Sequence, residues 1–348
     1  MKMKKSTIIA GTTVLAAGAA YFGTGLFFYD QLLSRRTAGG GMNALVDAEL
    51  LAGKPEPKEI GLMQRFMEWA LGGSPDYYYD LPFFPLFQEG VKWFFDRKPE
   101  KVVTQSPRGE RLHAELIKNE KPSDVWAISI HGFTSCPRDM GGCAMMFDQW
   151  GYNTLLPHLC GHNDSESKHV AMGWHDRVDI LAWIGYLNRE YNNPKIILHG
   201  ISMGGATVMM TTGEDLPPNV VCAIEDCGYT SVWDEYAHQL KQTLHLPAFP
   251  AVYAMDTVTR LRSGFELKEA SCVEQVKKSK TPTLFIHGED DDFVPFWMLD
   301  KVYEAAACEK EKLAVPGAKH AESGYQTELY YGTMKKFIDK YMPEENAA

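Results

Sequence analysis

From about residue 100 onward the chain is a succession of short apolar runs, each followed by a stretch with helical periodicity. The runs are "RLHAELI" (111–117), "VWAISIHG" (125–132), "YNTLLPHL" (152–159), "KIILHG" (195–200), "VVCAIEDCG" (220–228), "TPTLFIHG" (281–288) and "EKLAVPGAKH" (311–320). Helical candidates fill 139–150, 173–191, 203–214, 297–308 and 325–341. Continuous apolar strands are those buried on both faces, and their alternation with helices predicts an α/β fold with a mostly parallel sheet covered on both sides. Ligands of such sheets gather beyond the carboxyl ends of the strands. Three runs end in the same dipeptide, at His131-Gly132, His199-Gly200 and His287-Gly288. These histidines belong to strand ends and read as structural rather than catalytic.

The chain has 348 residues, 45% of them hydrophobic, and a net charge of −10. The acidic balance, with no basic stripe beyond the N-terminus, argues against a nucleic-acid partner. The seven cysteines match no zinc spacing and read as inert free thiols. No metal or cofactor is implied by any ligand cluster, and the oligomeric state is left open.

Residues 1–30 differ in kind. After "MKMKK" no charge occurs from Ser6 to Tyr29. As a helix, these 24 residues would cover about 35 Å, enough for a hydrocarbon core of roughly 30 Å. The expectation is an uncleaved, single-pass N-terminal transmembrane helix holding the protein in the cell membrane. A cleaved signal peptide, cut near "AGAA" (17–20), is the competing reading. Lysines precede the segment and Arg35 and Arg36 follow it, a bias that mildly favours a cytoplasmic N-terminus with the main domain outside the cell. Residues 31–100 read as a helical, aromatic-rich connecting region. Its aromatics over 77–95 pack either on the catalytic domain or at the membrane interface. Residues 101–348 are expected to form the α/β domain, with 232–280 as a small helical cap, longer than a simple crossover requires and broken by Pro247 and Pro250.

"LHGISMGGATVMM" places Ser202 between an apolar strand and a helix, the strand–turn–helix context of a nucleophile elbow. A serine hydroxyl needs an adjacent base that is itself oriented by an acid. In this architecture the chain order is serine, acid, histidine. "LFIHGEDDDFVPF" offers Asp290, Asp291 and Asp292. The spacing Gly-x-x-Asp-x-x-Val-Pro selects Asp291, with Asp292 as the nearer rival. "VPGAKHAES" supplies His320 between the last strand and the last helix. The oxyanion hole requires two backbone N–H groups. Met203 is expected to give one, and Phe133, with Thr134 second, the other.

With these pieces in place, the chain resembles the α/β-hydrolase superfamily. More narrowly it is similar to membrane-anchored bacterial hydrolases of the serine-aminopeptidase-like or prolyl-oligopeptidase-like kind. "SIHGFTSCPRDM", "AMGWHDRVDI", "LHGISMGGATVMM", "EDCGYTSVWDE", "LFIHGEDDDFVP" and "PGAKHAES" carry the resemblance over about residues 100–342. It implies an α/β-hydrolase fold and a serine hydrolase acting through Ser202, Asp291 and His320, without implying a substrate. Relatives often carry Asp-x-Arg-Gly-His-Gly-x-Ser where this chain has "HLCGHNDS", so His158, Cys160 and Asn163 replace Asp, Arg and Gly. The substitutions bear on the geometry of that loop. The activity expected is cleavage of a small-molecule acyl ester; the alternatives are a peptidase with the same triad and a non-enzymatic membrane protein on a hydrolase scaffold.

Overall fold

A computed structural model describes residues 5–34 and 84–342. One eight-stranded sheet, in the order β1-β2-β4-β3-β5-β6-β7-β8, organises the chain. The strands are β1 (Glu100–Gln105), β2 (Arg111–Ile117), β3 (Val125–Ile130), β4 (Asn153–Pro157), β5 (Lys195–Ile201), β6 (Val220–Asp226), β7 (Thr283–Gly288) and β8 (Lys310–Val315). All seven anticipated strands are present. β1 was not anticipated: it pairs antiparallel with β2, which pairs antiparallel with β4, and the remaining pairings are parallel. Its "EKVVTQ" leaves most side chains in water at the sheet edge, so it lacks the apolar run that marks the others.

The helices are α1 (Lys5–Leu32), α2 (Phe84–Arg97), α3 (Gly141–Gln149), α4 (Asp176–Glu190), α5 (Met203–Thr212), α6 (Val232–Leu244), α7 (Ala251–Ser263), α8 (Cys272–Val276), α9 (Trp297–Ala305) and α10 (Thr327–Tyr341). Strand alternation sends successive side chains to opposite faces. Ile196 and Leu198 of β5 and Phe285 of β7 join the core beneath α4, α5 and α9. Ile197, Leu284 and Ile286 join the opposite core beneath α2, α3 and α10. Both faces are thus covered, as a parallel sheet requires. Within the connecting region, Val91 and Phe94 of α2 are buried on the catalytic domain. Of the aromatics over 77–95, those of 77–83 lie outside the described residues.

The expected cap is three helices, α6, α7 and α8, between β6 and β7. The N-terminal segment departs from expectation. Among the described residues, no helix is long and apolar enough to cross a membrane. Instead, the last part of α1 packs along α7. At Gly25 a Cβ would run into the carbonyl of Ala254, so glycine is what lets the two backbones touch. Tyr21 hydrogen-bonds Thr257 (3.2 Å), the Tyr29 hydroxyl bonds Ser263 Oγ (2.7 Å) and His169 Nδ1 (2.6 Å), and Arg262 pairs with Asp30 (2.7 Å). Tyr29 and Leu33 are fully buried, and the Val170 N–H donates to the Leu33 carbonyl (2.9 Å). A stretch foreseen as lipid-embedded therefore spends its final third against protein. Hydropathy alone does not distinguish these two apolar surroundings.

Candidate active site

Ser202 stands between β5 and α5 at φ 58°, a left-handed value that a non-glycine residue holds only where the surrounding structure imposes it. Two glycines make the turn possible. A Cβ at Gly200 would strike the Gly204 backbone, and one at Gly204 would strike the carbonyl of Ile130 on neighbouring β3. The Ser202 N–H donates to the Asp226 carbonyl at the end of β6 (2.8 Å), pinning the turn to the sheet.

The three side chains anticipated from chain order meet here. The Ser202 Oγ is 2.9 Å from His320 Nε2, and His320 Nδ1 is 2.8 Å from Asp291 Oδ2. Of the three aspartates, Asp291 is buried and reaches His320, while Asp290 and Asp292 are exposed. Asp291 Oδ1 accepts from the Phe293 and Val294 amides (3.0 and 2.9 Å). Burial alone would raise its carboxyl, but the adjacent His320 and the hydrogen bond from His287 outweigh it, and the group falls to about 2. Burial would likewise lower His320; the charge and hydrogen bond of Asp291 overcome it and leave the imidazole raised above its ordinary 6.5. The Phe293 ring lies on the imidazole, 4.8 Å between centroids.

His287, one of the three strand-end histidines read as structural, bonds the Val294 carbonyl through Nε2 (2.8 Å), and the same nitrogen lies 3.2 Å from Asp291 Oδ2. His131 and His199 are structural, bonded to Gly132 and to Ser129 and Tyr330. The Cys227 thiol, together with Asp291 and His320, places donor atoms within 4.8 Å of one another. Nothing in the spacing of these residues signals that convergence.

The expected oxyanion donors are placed differently from one another. Met203 occupies the first position of α5, where the helix supplies no acceptor for its N–H. Gly132 packs against Ser202, so the turn carrying Phe133 lies beside the nucleophile. The rival amide, that of Thr134, is already committed: it donates to His162 Nε2 (3.2 Å), whose Nδ1 donates to the Cys160 carbonyl (2.9 Å). His162 is thus a strut for the turn that carries Phe133 and Thr134.

That loop keeps its shape by other means. The Cys160 and Gly173 amides donate to Asp176 (2.7 and 3.0 Å). Arg108, from the β1–β2 turn, reaches Asp179 (2.8 Å) and Cys160 Sγ (3.1 Å), and Ser106 adds a hydrogen bond to Asp179 (2.5 Å). An arginine distant in sequence thus brings a cation to the loop where Cys160 replaces the arginine found in relatives. Cys160, Asp176 and Asp179 have the donor types for a metal ion, but Arg108 already supplies the compensating charge.

A strained serine at a strand–helix turn, with a histidine and an aspartate delivered from beyond later strands of a mostly parallel sheet, is the arrangement of the α/β-hydrolase superfamily. Residues 144–345 match the prolyl oligopeptidase family, and the chain belongs to it. It is 27% identical over 226 residues to the uncharacterized protein YqkD of Bacillus subtilis, an alignment covering 64% of this chain and 73% of that one. In fold it is similar to the Pyrococcus furiosus esterase Pf2001, with TM-score 0.59 and 20% identity over 73% of this chain and 95% of the esterase. It is also similar to the Pyrococcus horikoshii acylaminoacyl peptidase, with TM-score 0.53 and 18% identity over 72% of this chain and 43% of that one. Family membership supports a serine hydrolase in the broad sense, and the fold is shared by esterases and peptidases alike.

Proposed function

We propose that the protein is a serine hydrolase that cleaves an acyl ester through a covalent acyl-enzyme. The observation that carries this reading is the unbroken path Ser202 Oγ–His320 Nε2 (2.9 Å) and His320 Nδ1–Asp291 Oδ2 (2.8 Å). His320 Nε2 takes the hydroxyl proton as Ser202 Oγ attacks the acyl carbonyl. Asp291 holds the proton on Nδ1, which leaves Nε2 free as the base, and stabilises the imidazolium that forms. The Met203 and Phe133 amides receive the developing oxyanion. His320 then protonates the departing alkoxide, releasing the alcohol, and a water activated by the same imidazole frees the acid. A fluorophosphonate probe tests the assignment: it should label the protein and fail on Ser202→Ala. Labelling that persists in the variant dismisses Ser202 as the nucleophile.

Peptide-bond cleavage by the same residues is the second reading, favoured by membership of a peptidase family. Turnover of aminoacyl naphthylamides against short acyl esters separates the two.

We also propose that the N-terminal segment associates the protein with a membrane, the catalytic domain lying outside the cell. With its C-terminal part docked on α7, α1 would set the cap at the bilayer surface. Phe22, Leu26 and Phe27 on the open side of α1, and Leu246 and Phe249 on the cap, are exposed large apolar residues suited to that position. Carbonate extraction and protease shaving of intact cells test both points. A fully soluble protein, or one fully protected from shaving, overturns the respective claim.

A further inference from the structure

The turn that leaves β6 brings a thiol beside the triad. Cys227 is fully buried and takes a left-handed φ of 47°. Its N–H donates to the Ile286 carbonyl of β7 (2.9 Å), which sets it next to the strand that leads into the acid loop. Its Sγ receives the N–H of Ala321, the residue after His320. The Cys227 Sγ, an Asp291 oxygen and a His320 ring nitrogen all lie within 4.8 Å of one another. The ring nitrogen turned toward Asp291 is Nδ1, 2.8 Å from Oδ2. Thiolate, carboxylate and imidazole are together the donor types that zinc selects.

Spacing and charge both suit that ion. Bond lengths of about 2.0–2.3 Å around a tetrahedral zinc place neighbouring ligand atoms about 3.3–3.7 Å apart, so the donors need to close by only about 1 Å. The charges that Cys227 feels most are the carboxylates of Asp226 and Asp291. Among the described residues, both ion pairs of Asp291 are with imidazoles, those of His287 and His320. A divalent cation set against one thiolate and one carboxylate leaves no net charge to bury. The comparable cluster of Cys160, Asp176 and Asp179 is already met by Arg108, 2.8 Å from Asp179 and 3.1 Å from Cys160 Sγ. No such cation stands at Cys227 among its strongest charges. His320 is the partly exposed member of the three, which gives an ion its way in.

We propose that Cys227, Asp291 and His320 bind Zn²⁺, with water in the fourth position, and that the ion reversibly inhibits the hydrolase. The zinc bonds to His320 Nδ1, and the proton displaced from that nitrogen is carried on Nε2. The Cys227 thiol releases its proton to solvent as the sulfur–zinc bond forms, and one Asp291 oxygen exchanges the imidazole for the ion. With Nε2 protonated, nothing accepts the proton of Ser202. This deepens the hydrolase reading, which supplies the activity that the ion stops; the ion site itself stands without it.

Hydrolysis of p-nitrophenyl acetate with increasing Zn²⁺ is the first test. Micromolar Zn²⁺ should suppress turnover at least tenfold and EDTA should restore it, whereas Mg²⁺, which prefers oxygen ligands, should have no effect. Cys227→Ser keeps an acceptor for the Ala321 N–H and loses the soft donor. Its half-inhibiting Zn²⁺ concentration, read against its own metal-free rate, should rise at least tenfold. An unchanged half-inhibiting concentration in that variant, or a wild-type protein indifferent to Zn²⁺, overturns the inference. Co²⁺ added to folded Ser202→Ala reads the site without turnover: a thiolate-to-cobalt charge-transfer band should appear and be lost in Ser202→Ala/Cys227→Ser. Ser202→Ala/His320→Gln, which keeps every cysteine, should bind Co²⁺ at least tenfold more weakly. These results uphold the ion site even if no ester is hydrolysed. Absence of the band in Ser202→Ala, or its persistence in either double variant at the same affinity, removes the site and leaves the probe-labelling result untouched.

Discussion

Replacing Asp291 by asparagine keeps the shape of the side chain and removes its charge. Asparagine Oδ1 can still accept from the Phe293 and Val294 amides, so the loop has no reason to move. The other end now presents an NH2 group to His320 Nδ1, 2.8 Å away, where a carboxylate oxygen had accepted. Two donors face each other, and the imidazole relieves the clash by carrying its proton on Nε2. That is the nitrogen that must take the proton of Ser202. The expected loss in kcat is roughly 10⁴-fold, about 5.5 kcal/mol, the scale seen when a serine triad holds the wrong tautomer. The same carboxylate contributes to folding. Its fall from an ordinary 3.8 to about 2 corresponds to about 2 kcal/mol at roughly 1.4 kcal/mol per pH unit. Because the folded-state value is depressed, this contribution is complete above about pH 4 and is lost as the pH drops toward 2. Ester hydrolysis at neutral pH and thermal melts from pH 2 to 7 read the two effects separately. Asp292→Asn serves as the control and should leave both unchanged. A variant of Asp291 that retains more than a tenth of the wild-type rate would refute the assignment of the acid.

In the wild-type enzyme, activity should fall in acid with a midpoint above 6.5, because Asp291 raises His320 and only the neutral imidazole can act as base; a midpoint below 6.5 contradicts the pairing. His162→Ala removes the acceptor of the Thr134 amide and should lower kcat about tenfold with little change in KM, by loosening the oxyanion turn. Arg108→Ala strands the largely buried Asp179 and should cost about 3 kcal/mol of stability, measured by denaturant titration. Gly25→Val forces a side chain into the Ala254 carbonyl and should cost about 1–3 kcal/mol of overpacking; an unchanged melting temperature would mean that α1 does not dock on α7.

The sheet and the triad are legible in the sequence for a common reason: both are written in local runs whose order is fixed by connectivity. "TLFIHG" and "KIILHG" cannot avoid being buried strands, and Ser202, Asp291 and His320 each lie in the connection that leaves a strand. What escapes the sequence is every contact made sideways. β1 is invisible because an edge strand with one dry face needs few apolar residues. His287 looks like its fellows at 131 and 199, and only the fold turns it toward Asp291. Arg108 and Cys160 are 52 residues apart, and no periodicity connects them.

The docking of α1 on α7 also changes what kind of roof this is. A cap joined to the body only through its own two ends could swing freely; this one is splinted to a helix that continues past it toward the N-terminus. The contacts of Tyr21, Gly25, Tyr29 and Asp30 with α7 thus make the N-terminal helix part of the fold of the segment between β6 and β7.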